Sequence, residues 1–175
     1  MTRVCLVGDP EVNLQYELLS RETSREALAT YDLERPFENA LAVRTVSIGA
    51  AVSLLNDLDW YLTRFVDEAL VQEPSVNETE WLSRPLAREL RNGTVAPADT
   101  DEFCKIYGLE RAGEDEQQDE PADGTETDGM GPTTLLPRLV EPLYVRRTGG
   151  ELPTYDLRDV DETLVVRLTE SEYSP

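Results

Sequence analysis

Any fold open to this chain must keep thirty-six aspartates and glutamates within reach of water, with fifteen arginines, one lysine (Lys105) and no histidine to set against them. Burying an unpaired carboxylate is far too costly, so the core has to come from the 39% of residues that are hydrophobic. The formal charge of -20 also strains a compact state through self-repulsion in dilute salt. In molar salt the screening length falls to about 3 Å and most of that repulsion disappears. Carboxylates still favour solubility there, more than added lysines do. Arginine in place of lysine fits the same solvent, because a guanidinium stays charged and clamps carboxylates in bidentate fashion. The composition therefore points to the cytosol of a salt-accumulating microbe. A functional acidic surface that mimics nucleic acid or attracts basic partners is the competing explanation, and the spread of acids along the whole chain counts against it.

The same charge argues against nucleic-acid binding, since no basic stripe or aromatic ribonucleoprotein motif is present. Arg146 and Arg147, flanked by Glu141 and Glu151, read as a solvated strand end. The longest apolar stretch, Ile48 to Leu55, is too short to span a bilayer. The opening Met1 to Gly8 lacks the layout of a secretion signal, so a cytoplasmic location is expected and the sequons at Asn77 and Asn92 carry little weight. Cys5 and Cys104 lie in apolar, strand-like stretches without metal-ligand spacing and read as buried free thiols.

Length suits a single domain, 1–175. Residues 3–7 form an apolar run closed by Gly8, the pattern of a buried strand. Asp9 and Pro10 look like an N-cap and first helical residue, predicting a helix over about 10–32. Strict alternation of Val12, Leu14, Tyr16 and Leu18 would instead suit a strand. Residues 40–46 read as a strand, and Ser47 as the cap of a long helix carried by Ile48, Ala51, Val52, Leu55, Leu58, Leu62, Phe65, Val66 and Ala69. Asn56 to Asp59 weakens its middle, so helix followed by strand from Trp60 is the alternative. Glu73-Pro74-Ser75 ends that element. Ser83, Pro85 and Asn92-Gly93 bracket a shorter helix.

Composition then shifts. Phe103 to Leu109 is strand-like, whereas 112–133 offers almost nothing to bury and holds eight acids between Glu114 and Asp128, predicting a disordered acidic insertion loop. Its sharper reading is a tether for a basic partner. Leu139 to Arg147, a Thr148-Gly149-Gly150 turn, a return over Glu151 to Leu157 and a stretch from Thr163 to Thr169 read as strands. Pro142 and Pro153 mark edges or bulges. The expected class is α+β, with helices mainly in the N-terminal half packed on a mixed, largely antiparallel sheet.

Without histidine the chain lacks the usual general base, zinc ligand and Ser-His or Cys-His pairs. Lys105 has no glycine-rich loop beside it for phosphate chemistry. The pattern calls for no cofactor and no metal. Two candidate sites remain. One is a partner-binding cluster of Trp60, Tyr61, Arg64, Glu73, Trp81 and Arg84, residue types that dominate interaction hot spots; the plainer alternative is that both tryptophans anchor a turn to the core. The other is a ligand crevice at Gly8 and Asp9, where a strand end meets a helix N-terminus; the plainer alternative is that Asp9 only caps the helix. Glu141 and Tyr144 fall out of phase on their strand and read as surface.

Residues 4–10 are similar to the opening of response-regulator receiver domains, but Gly8 breaks the paired acids, the acceptor would fall on Asp67 in a predicted helix, and no site is carried over. More extensively, residues 2–9, 54–62, 73–76 with 80–84, and the closing Tyr155 to Val160 resemble an uncharacterised protein family of halophilic archaea. That resemblance implies a salt-adapted cytosolic protein and brings no activity with it. The leading expectation is a non-enzymatic protein-binding or regulatory module acting through Trp60 to Arg84. A small-molecule or nucleotide sensor at Gly8-Asp9 is the second reading, and a magnesium-dependent carboxylate hydrolase, which needs converging acids, the third.

Overall fold

The protein is described by a computed structural model covering residues 1–111, 137–147 and 162–173. The expected acidic insertion at 112–133, the turn at Thr148, the return strand to Leu157 and Pro153 lie outside the described residues. Among the described residues, seven strands form one sheet in the order β2-β1-β3-β4-β7-β5-β6. They are β1 (Thr2–Gly8), β2 (Ala40–Thr45), β3 (Val66–Gln72), β4 (Trp81–Ser83), β5 (Phe103–Arg111), β6 (Pro137–Arg146) and β7 (Glu162–Leu168). All neighbours run antiparallel except β4 and β7. The helices are α1 (Leu14–Leu19), α2 (Glu22–Leu28), α3 (Ile48–Asp57), α4 (Asp59–Phe65), α5 (Arg84–Asn92) and α6 (Glu170–Tyr173). Five of the six precede residue 100, so the class is α+β as the pattern predicts. No described helix is long and apolar enough to cross a membrane.

Period-two alternation divides the side chains between two cores. Val4, Leu6, Leu41, Val43, Val71 and Leu82 face the helices, meeting Leu14, Leu18, Leu55, Leu62 and Leu86. Cys5, Ala42, Leu70, Trp81, Leu164, Val166 and Leu168 face the other way, with Phe103, Tyr107 and Leu139 packed on them. That second core gathers residues from strands at both ends of the sheet order, which requires the sheet to curl over its own face. Two contacts mark the curl. Glu68 on β3 receives hydrogen bonds from Lys105 and Tyr107 on β5, three positions away in the sheet. The Glu38 amide, just before one edge strand, donates to the Pro137 carbonyl on the other edge strand at 2.8 Å.

Local signals hold where they are chemically specific. Ser47 and Ser83 accept from the Ala50 and Leu86 amides as N-caps, and Gly93 closes α5 at φ 78° in the left-handed region. Pro142 sits on edge strand β6, where the pairing with β5 shifts between Ile106 and Gly108. Both cysteines are buried and free, and burial pushes the Cys5 thiol up to about 12.

Several expectations are corrected. No helix starts at Pro10: Asp9 Oδ1 accepts from the Glu11 amide in a tight turn, and Asn13 caps α1 instead. The 10–32 helix is also split, with α2 entered through Arg21, which makes no side-chain cap. The long helix after Ser47 breaks at Leu58 and ends at Phe65, giving way to β3 later than the alternative start at Trp60. Asp67 therefore lies on a strand that pairs antiparallel with β1, unlike the parallel sheet of receiver domains. Arg147 is no solvated strand end either: its side chain is 11% exposed and clamps Glu80 at 3.0 Å, with Arg167 reaching the same carboxylate at 2.7 Å.

Candidate functional site

The expected partner-binding cluster does not form one surface. Trp81 is buried at 4% exposure in the concave core, with the Arg3 guanidinium 5.4 Å from its ring centroid. Glu73 follows β3, where burial alone would raise its pKa but hydrogen bonds from Thr2 and Ser75 outweigh that and hold it below 4.5. Arg84 is a helix pin: it reaches the Leu55 carbonyl at 3.4 Å, Asn56 Oδ1 at 3.2 Å and Asp59 Oδ1 at 3.0 Å. A cation there sits at the carboxyl end of α3 and secures the α3–α4 break. Tyr61 is buried. Trp60 is half exposed, with the Arg64 guanidinium 3.9 Å from its ring centroid and Phe65 edge-on behind it. Only Trp60 and Arg64 of the six present a stacked pair to solvent.

The Gly8 crevice, in contrast, is a real concavity. It has a volume of about 660 Å³ and opens at the corner where the two sheet edges touch. Val7, Pro10, Val12, Leu139 and Val140 supply apolar walls, while Glu38, Asn39, Asp67, Glu68, Tyr107 and Arg138 supply polar groups. The size falls within roughly 300–1,000 Å³, the range of small-molecule sites, and the mouth of a curled sheet is a common place for one.

Each wall has a local cause. Gly8 is required because a Cβ there would lie 2.7 Å from Asn39 Nδ2 and 2.8 Å from Leu14 Cβ. Asn39 takes a positive φ of 57°, tolerated by asparagine, and its amide group ties the rim together. Nδ2 donates to the Asp9 and Val12 carbonyls, each at 3.0 Å, and Oδ1 accepts from the Leu14 amide at 2.9 Å. On β3 the register with β1 jumps from Val7↔Glu68 to Gly8↔Val66, leaving Asp67 as the extra residue of a bulge. Bulges re-aim side chains, and this one brings the consecutive residues Asp67 and Glu68 to the same crevice. Asp9 stands behind the rim, and its charge, after partial burial, helps raise the Asp67 pKa above 3.8.

Beneath the crevice, Lys105 is only 8% exposed and binds the same Glu68 oxygen that takes the Tyr107 hydroxyl at 2.7 Å. Burial draws the ammonium below its ordinary 10.5, with Glu172 pulling the other way. Burial, then Tyr144 and Asp67, push the Tyr107 phenol up. Of the two residues singled out in the sequence, Gly8 lines the crevice and Asp9 does not, while Asn39, Asp67, Glu68 and Tyr107 were not singled out for it. The retained lysine in an arginine chain was the one available signal. Among the described residues, no three His, Cys, Asp or Glu side chains are placed so as to hold a metal ion.

Residues 2–109 match the Family of unknown function (DUF5804). The chain belongs to that family. The DUF5804 match takes in Gly8, Asn39, Asp67, Glu68, Lys105 and Tyr107, whereas Arg138, Leu139 and Val140 on β6 lie beyond it, as does the closing stretch 155–160. No curated protein and no solved structure matches this DUF5804 chain.

Proposed function

We propose that this DUF5804 protein is a non-enzymatic binding module whose ligand occupies the crevice between Gly8, Glu68 and Val140. One observation carries the reading: a ligand-sized concavity with apolar walls and a few convergent polar groups, at the corner where the curled sheet nearly closes. Ligand occupancy would bridge β1, β3, β5 and β6 and so favour the closed form of the sheet, which is how such a module would report its ligand. The absence of histidine and the pairing of Lys105 and Tyr107 with Glu68 support binding over acid–base catalysis. The test is to purify the protein in molar potassium chloride and weigh it by native mass spectrometry. A small molecule retained by the parent and by Trp60→Ala, but lost on filling the crevice with Val12→Trp, is the expected result. A stoichiometric protein partner, lost on Trp60→Ala, would replace it with the second reading, in which the stacked Trp60–Arg64 pair is the contact.

A salt-accumulating archaeal cytosol is the setting we propose for it. The support is compositional: the charge of -20 and fifteen arginines to one lysine.

A further inference from the structure

The crevice lining is unbalanced in its hydrogen-bonding capacity, and the imbalance identifies what it takes. Its uncharged side-chain donors are spent. Both Asn39 Nδ2 hydrogens go to the Asp9 and Val12 carbonyls. The Tyr107 hydroxyl points at Glu68 Oε2, where Lys105 also binds. Arg138 has an interaction of its own, and against its single charge the lining sets the carboxylates of Glu38, Asp67 and Glu68. Among the described residues its acceptors are not spent: no donor reaches Glu68 Oε1, and none reaches the Asp67 or Glu38 carboxylates. An ionised carboxylate accepts hydrogen bonds only, through two oxygens with about four lone-pair sites, so a complementary ligand must donate. The walls of Val7, Val12, Leu139 and Val140 require an apolar body on the same molecule.

Resting on the crevice reading above, we propose that the ligand is a small organic cation, an amine with a short apolar tail, its ammonium held by Glu68 and Asp67. The bulge at Asp67 is the device that selects this class. In a regular strand Asp67 and Glu68 would point to opposite faces of the sheet; with the extra residue both line the same crevice. Lys105, behind Glu68, fixes that carboxylate in orientation through their ion pair, so it acts as a positioning residue without touching the ligand.

The experiment is a nuclear magnetic resonance titration of the full chain in molar potassium chloride with three probes of equal tail, butylamine, butanol and butyrate. Butylamine is expected to shift the Tyr107 and Val140 amides saturably and to bind at least about tenfold more tightly than butanol, as befits a charge-assisted hydrogen bond. Asp67→Asn should weaken butylamine severalfold with the melting curve intact, since Asp67 is exposed and makes no described hydrogen bond. Glu68→Gln should abolish binding, and Trp60→Ala should leave it unchanged. Equal binding of all three probes at the same amides would overturn the amine assignment and keep the crevice. No saturable shift at those amides with any probe would overturn both.

Discussion

At the scale of single residues, Gly8 and Asn39 decide whether the crevice exists. Gly8→Ala forces a methyl group into contacts of 2.7 and 2.8 Å, so a loss of about 1–3 kcal/mol is expected in chemical denaturation. Asn39→Ala removes three hydrogen bonds to rim backbone groups and leaves a left-handed residue without asparagine's tolerance. At about 1 kcal/mol per bond its loss should reach roughly 3 kcal/mol. Glu73 makes a prediction in pH. Its folded pKa lies below the unfolded 4.5, so its stabilisation is full above 4.5 and is lost as pH falls from there through the lower folded value. Glu73→Gln should therefore flatten the acid limb of a stability–pH curve, and an unchanged limb would show that Thr2 and Ser75 do not hold the carboxylate. The role of Asn39 is not written locally, because it acts on residues twenty-five to thirty positions away.

At the scale of elements, what was legible followed the reach of the interaction. Ser47, Ser83, Pro85 and Gly93 act within one turn, and α3 starts, and α5 both starts and ends, where the pattern placed them. β3 was hidden because Phe65, Val66 and Ala69 continue the three-and-four spacing of α3 and α4, while pairing with β1 pulls the chain into strand from Val66. The helix at Pro10 failed because the Asp9 carboxylate closes a turn two residues on, a competition local sequence leaves open. The Gly8 crevice was half legible: one wall is a strand end, but the others come from four distant segments. Ser83 shows how one cap can serve two helices, since its hydroxyl also donates to Glu172 at 2.6 Å, and Glu172 accepts from the Thr169 amide at the start of α6. Ser83→Ala should cost about 1–2 kcal/mol. Glu80→Gln should cost more, about 3–5 kcal/mol, because Arg147 and Arg167 would be left buried with no counter-charge. A melting temperature within error of the parent would contradict the proposed clamp.

At the scale of the whole molecule, salt and topology set the terms. Exposed ion pairs such as Arg44 with Glu34 or Arg146 with Glu102 are worth about 0–1 kcal/mol each, too little to offset the mutual repulsion behind a charge of -20. Screening should therefore help more than it harms. The melting temperature is expected to climb from dilute to molar potassium chloride, and a complete cooperative melt in dilute buffer would refute the salt-adapted reading. The position of β7 has a consequence for how the chain is made. It is the link between β4 and β5, yet it is encoded after every other strand. A ribosome therefore releases β1 to β4 and the β5–β6 pair as two pieces with bare edges, which must wait for residues 162–168 before they can join. Bare strand edges recruit one another between chains, so the segment matched to DUF5804, which stops at 109, carries β5 without either of its sheet neighbours. Expressed by itself it should accumulate as aggregate, and supplying the downstream strands in the same chain should rescue it.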